Sequence, residues 1–102
     1  MKIRLADRAK YQSDKMAKIA LASTPRAQVD LYCLEPGQSQ KVHAHDGQDK
    51  VYVVLEGRGT LEVEGESFEV TEGRALFVPA HAEHGFTGYE SLSLLVIFTR
   101  PD

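Results

Sequence analysis

Residues 37–57 read GQSQKVHAHDGQDKVYVVLEG. Residues 41–45 make a brief strand-like run, and Asp46-Gly47-Gln48-Asp49 is a polar turn. Residues 50–55 are then strongly β-branched and aromatic, and Glu56-Gly57-Arg58-Gly59 ends them. Short runs of this kind bounded by Gly and Asp are strands joined by tight connections. His43 and His45 stand two apart, the spacing at which a strand sends two side chains from the same face.

Outward from this stretch the pattern repeats. Residues 29–34 form an apolar run stopped by Glu35-Pro36-Gly37, and residues 60–64 and 67–71 flank Gly65-Glu66, which reads as a hairpin turn. Residues 75–78 end at Pro79, which cannot donate to a ladder. Residues 83–87 and 92–99 complete the set, with Gly88 between them. Many short strands with closely spaced turn signals indicate an all-β fold, an antiparallel barrel or sandwich. Helical periodicity is confined to residues 5–22, where Ser23-Thr24-Pro25 interrupts any longer element; an irregular chain with an edge strand at 16–21 is the preferred reading. The expected organisation is an N-terminal segment, 1–28, and one β-domain, 29–100.

With 102 residues the chain fits a single domain. Its net charge of -3 supplies no basic footprint, so neither nucleic acid nor an anionic membrane is an expected partner. No apolar run approaches the roughly 20 residues that span a bilayer, and residues 1–10 lack the apolar stretch of a signal peptide. The single cysteine, Cys33, excludes an internal disulfide and fits a reducing compartment. A cytoplasmic protein is expected. In residues 50–55 and 92–98 both alternating faces are apolar, so something covers the outer face of the sheet. The N-terminal segment and a second subunit, in a homodimer, are the two ways to do so, and they are compatible.

The chemistry-bearing residues are His43, His45 and His84, the last opening a later strand and able to complete a facial triad. Imidazole nitrogen suits iron, manganese, zinc and nickel alike, so ligand type does not choose the metal. A histidine pair beside a polar turn is, by itself, more often solvated than ligating. The glycine and proline framework reverses that. Gly37 is followed by five residues, then His43-Ala44-His45, four residues, Lys50, six residues and Gly57. Gly73 is followed by five residues, Pro79, four residues, His84 and then Gly88. In order and spacing these resemble the two motifs of the cupin family, over about residues 29–98. His81 stands where the second motif usually has Gly, and Gly88 where it has Asn. The resemblance implies a jelly-roll β-barrel with His43, His45 and His84 around one divalent transition metal. Independently, Gly37, Gly57 and Gly73 sit where turns demand positive φ or close backbone approach, and His81 reads as a rim residue in a left-handed turn.

Lys50 occupies the position of the glutamate that usually supplies the fourth ligand in that family. A protonated lysine beside a divalent ion opposes binding by several kcal/mol, so it must swing away, lose its proton or pair with Asp46 or Asp49. Asp49 itself replaces the missing ligand only if a bulge re-aims it, because strand alternation turns it away from the pocket. Tyr52, Val54, Phe77, Phe86 and Phe98 are the expected pocket lining; Cys33 reads as plain core.

Three functions follow as expectations. One is a metal-dependent dioxygenase or isomerase acting on a small molecule. Another is a non-catalytic small-molecule binder or sensor. The third is a vestigial, metal-free site in which Lys50 supplies the charge the metal would have carried.

Overall fold

The computed structural model describes residues 2–44 and 47–100. A single helical turn, α1 (Leu5–Arg8), precedes the strands β1 (Ala17–Ser23), β2 (Ala27–Leu34), β3 (Ser39–His43), β4 (Lys50–Glu56) and β5 (Arg58–Val63). The strands β6 (Glu66–Thr71), β7 (Ala75–Val78), β8 (His84–Gly88) and β9 (Leu92–Thr99) follow. They form two antiparallel sheets, ordered β1-β2-β9-β4-β7 and β3-β8-β5-β6. This is a jelly roll, two sheets enclosing a core, rather than one sheet closed on itself.

Strand alternation decides which residues form that core. In β4, Lys50, Tyr52 and Val54 point inward and are buried, while Val51, Val53 and Leu55 point outward and are partly covered. The ladder aligns Lys50 with Phe98 and Val78, and Tyr52 with Val96 and Leu76. Tyr32, Leu34, Leu61, Val70, Phe86, Leu92 and Leu94 fill the space between the sheets with them. A second cluster lies on the outer face of the five-stranded sheet. There Ile3, Leu5 and Tyr11 of the N-terminal segment pack against Ala17, Leu21, Leu31 and Cys33. The N-terminal segment therefore covers part of the outer face. The row Val29–Ile97–Val51–Phe77 crosses the same face, and its Phe77 is 62% exposed.

Three details correct the sequence expectations. Phe77 is not pocket lining: strand alternation puts it beside Val51 on the outer surface, and its inward neighbours are Leu76 and Val78. The β5–β6 loop is Glu64-Gly65, not Gly65-Glu66; φ is 48° at Glu64 and 82° at Gly65, and Val63 pairs with Glu66. Positive φ at both central residues matches the twist of the flanking strands, which fixes the register one residue earlier. The edge strand begins at Ala17 and continues to Ser23, so Ser23-Thr24 lies at the hairpin into β2 and only the four residues of α1 are helical.

Gly57 shows why its position takes no side chain. Its φ is +90°, and a Cβ there would lie 2.0 Å from the carbonyl oxygen of Ser91. The close approach ties the end of β4 to the start of β9 and so fixes the level of Lys50 relative to Phe98.

Candidate functional site

The polar end of the core is built across the two sheets. His43 closes β3 and pairs with His84, which opens β8; their rings stand 4.4 Å apart between centroids. Lys50 faces them from the opposite sheet as the inward residue at the start of β4.

The tautomers follow from the backbone. Nδ1 of His43 lies 2.8 Å from the Lys41 carbonyl oxygen, and Nδ1 of His84 lies 2.8 Å from that of Ala82. A carbonyl only accepts, so both Nδ1 atoms carry the proton and both Nε2 atoms present a lone pair. Those lone pairs converge on one cation: Lys50 Nζ is 3.5 Å from His43 Nε2 and 3.4 Å from His84 Nε2. The distances exceed the 2.7–3.2 Å of ordinary hydrogen bonds, so these are long charge–dipole contacts. The ammonium also stands 5.7 Å from the centre of the Phe98 ring, within cation–π range.

Lys50 is 3% exposed. Burial, then the positive charge of Lys18, pushes its ammonium down from 10.5 to about 8, against the opposing pull of Asp30. Asp30 is itself buried and accepts from Gln28 Nε2 at 2.9 Å. Burial lowers His43 as well, with Lys50 and Lys18 adding to it and the Lys41 carbonyl opposing. Burial also raises Tyr52, and Tyr32 beside it adds to the shift. The Tyr52 hydroxyl has no hydrogen-bond partner among the described residues.

The structure brings His43, His84, Lys50, Tyr52 and Phe98 together. Val54 and Phe86 lie deeper, around an internal void of only about 10 Å³. A single water needs roughly that much, so these residues are packed core and not the wall of a ligand chamber. Asp49 is exposed, and its Oδ1 accepts from the Ala80 amide at 2.9 Å; its carboxylate pins the turn after β7. His81 is exposed with φ of 71°, the left-handed turn conformation expected of it. His45 and Asp46 lie outside the described residues. Cys33 is fully buried and free, and burial raises its thiol.

A metal can be tested against these atoms. The two anchored imidazoles are the donors a divalent ion uses, because a carbonyl on Nδ1 fixes the ring and leaves Nε2 to ligate. Lys50 does not fit. An ion about 2.1 Å from both Nε2 atoms competes for the space the ammonium takes. The charged lysine and a divalent ion exclude one another, so while Lys50 keeps its proton the two described histidines do not fit a metal. Among the described residues no group of three or more His, Cys, Asp or Glu side chains is gathered for an ion.

Sequence reasoning missed Lys18, Asp30 and Gln40. Alternation in β1 and β2 turns Lys18 and Asp30 inward, and pairing carries Gln40 next to Phe86, but none lies in the two motifs. Among the described residues, no helix is long and apolar enough to cross a membrane.

The comparisons agree with this architecture. The family described as "Cupin domain" matches residues 30–98. An uncharacterized protein of Streptomyces coelicolor, SCO3923, is 42% identical over 77 residues, covering 72% of this chain and 70% of that one. The crystal structure of TT1209 from Thermus thermophilus superposes with a TM-score of 0.92 at 42% identity, covering 100% of both chains. A cupin superfamily protein of Desulfitobacterium hafniense gives a TM-score of 0.86 at 25% identity, over 100% of this chain and 92% of its own. Several other curated relatives are longer, this chain spanning only 14% to 49% of them. Two spaced motifs, two facing antiparallel sheets and a polar cluster at one end of the core thus lead to one assignment: the chain belongs to the cupin family.

Proposed function

We propose that this chain is a small-molecule-binding cupin in which the Lys50 ammonium takes the central cation position. The observation that carries the reading is the convergence of two anchored Nε2 lone pairs on Lys50 Nζ, at 3.4 and 3.5 Å. One buried positive charge then meets ligand at the polar end of the core, and His43 and His84 hold it in place. His45 adjoins the cluster in sequence. The test is to load the protein anaerobically with iron, manganese, zinc or nickel, desalt it and measure bound metal by mass spectrometry. Well below one ion per chain is expected; stoichiometric retention overturns the reading.

Stoichiometric retention is what the second reading requires, a divalent-metal site of His43, His45 and His84 serving a dioxygenase or isomerase. The observation in its favour is the pair of Nδ1–carbonyl contacts, which pre-orient imidazoles for ligation whichever cation they meet.

Two further parts of the proposal concern setting. The row through Ile97, Val51 and Phe77, exposed at Ile97 and Phe77 and half-covered at Val51, supports a homodimer packed sheet to sheet, since exposed apolar surface marks interaction sites. The buried free thiol of Cys33 is at home in the cytoplasm.

A further inference from the structure

We propose that the groove between the N-terminal segment, β1 and β3 binds the oxyanionic group, carboxylate or phosphate, of the pocket's ligand. The groove has a volume of about 630 Å³ and is lined by Gln12, Lys15, Lys18, Ser39, Gln40 and Lys41, among others. Three lysines line it, Lys15 and Lys18 from the stretch that enters β1 and Lys41 from β3, and no carboxylate lines it among the described residues. The whole chain is acidic, with 15 Asp and Glu against 12 Lys and Arg, so this concentration of one sign runs against its composition.

Two observations join the groove to the site. Lys18 Nζ stands 5.5 Å from the centre of the Tyr32 ring, and its charge acts on both Lys50 and His43. Gln40, which also lines the groove, belongs to the strand that ends in His43 and pairs with Phe86 of the core. Space decides the rest. The void behind Tyr52 is about 10 Å³, too small for any organic molecule, whereas the groove, about 630 Å³ beside the inner-face residues Lys18 and Gln40, has room for one. Clefts lined by one sign of charge concentrate the opposite ion.

The inference rests on the small-molecule reading of the pocket, and its test is separable from the metal test. Calorimetry and thermal shift with succinate, inorganic phosphate, glycerol phosphate and the neutral polyol glycerol are run on the natural chain, Lys18→Gln, Lys41→Gln and the double variant. Both lysines are exposed, so the variants keep the fold. At least one anion should bind at one per chain, weakened about fivefold by each exposed charge removed and about twenty-five-fold by both. Preference for succinate or for the phosphates identifies which oxyanion the groove takes. Absence of anion binding, equal binding by the double variant, or binding of glycerol alone overturns the inference. Metal retention, by contrast, overturns the role given to Lys50 and leaves the groove untouched.

Discussion

Replacing Lys50 by methionine keeps an unbranched stem in the core and removes the ammonium, and zinc titration then reads how far that charge stands in the way. A zinc ion sits about 2.1 Å from an imidazole nitrogen. Because Nζ is 3.4 Å from His84 Nε2, ion and ammonium can be no more than about 5.5 Å apart. For a double charge facing a single one at an effective dielectric near 20, the repulsion is at least ~6 kcal/mol. Shedding the proton is cheaper. With the ammonium already pushed down to about 8, deprotonation at pH 7 costs about 1.4 kcal/mol. The smaller penalty governs, so the natural chain admits zinc only by releasing the Lys50 proton. Its affinity should lie about tenfold below that of Lys50→Met at pH 7 and about a hundredfold below it at pH 6. Lys50 also lowers His43, so in the variant His43 holds a proton more readily and these ratios are upper limits. Calorimetry in buffers of different ionisation enthalpy gives the affinity and the proton count together, and the natural chain should release about one proton more at pH 7. Equal affinities with equal proton release would refute the placement of Lys50; a variant with no zinc affinity would refute the histidine pair as a donor set.

The same lysine predicts an alkaline rise in stability. Below about pH 8 Lys50 is charged in both states, and the folded chain bears the full penalty of burying that charge. Between about 8 and 10.5 the unfolded chain keeps the proton that the folded chain has lost, so stability rises with pH, by up to ~3 kcal/mol. Tyr32, pushed up to about 12, and Cys33, also raised, act in the opposite sense at the alkaline end, but Lys50→Met shares them. Urea denaturation at pH 7 and pH 9.5 should therefore show the stability gap between variant and natural chain closing; a constant gap contradicts the burial of the charge. On the outer face, Phe77→Asp should convert a dimer into a monomer in sedimentation velocity without loss of fold, and a natural chain that is monomeric at tens of micromolar removes the dimer proposal.

Much of the fold is legible in the sequence because its signals are local. Residues 75–78 and 92–99 are strands at the bounds expected, since a Pro or a Gly stops each run and alternation supplies the rest. The imidazole pair and the intruding lysine are legible through motif spacing. What is not legible depends on contacts between segments far apart in sequence. Lys15, Lys18 and Lys41 are unremarkable surface residues until β1 and β3 bring them to one groove. Phe77 reads as lining because an aromatic in a strand has two faces to choose from, and only the pairing with Val51 decides. The closure of the interior behind Tyr52 is a matter of summed side-chain volumes, which periodicity does not express. For residues 5–22 the sequence left helix and strand in competition, and the β1–β2 ladder settled it from Ala17 onward.

The position of β9 has a consequence for how this molecule comes into being. It is the last described strand in chain order, yet it lies at the middle of its sheet, between β2 and β4. Until it is synthesised, the β1–β2 hairpin and the β4–β7 pair have no shared neighbour, and the inward face that carries Lys50 and Tyr52 stays open to solvent. Assembly therefore waits on contacts between residues as distant as Ala27 and Thr99, the kind of long-range closure that slows folding and exposes unpaired edges. A nascent or truncated chain lacking residues 92–99 then has this sheet split into two ladders with open edges prone to self-association, and Lys50 gains its neighbour Phe98 only once the C-terminal strand has been inserted between them.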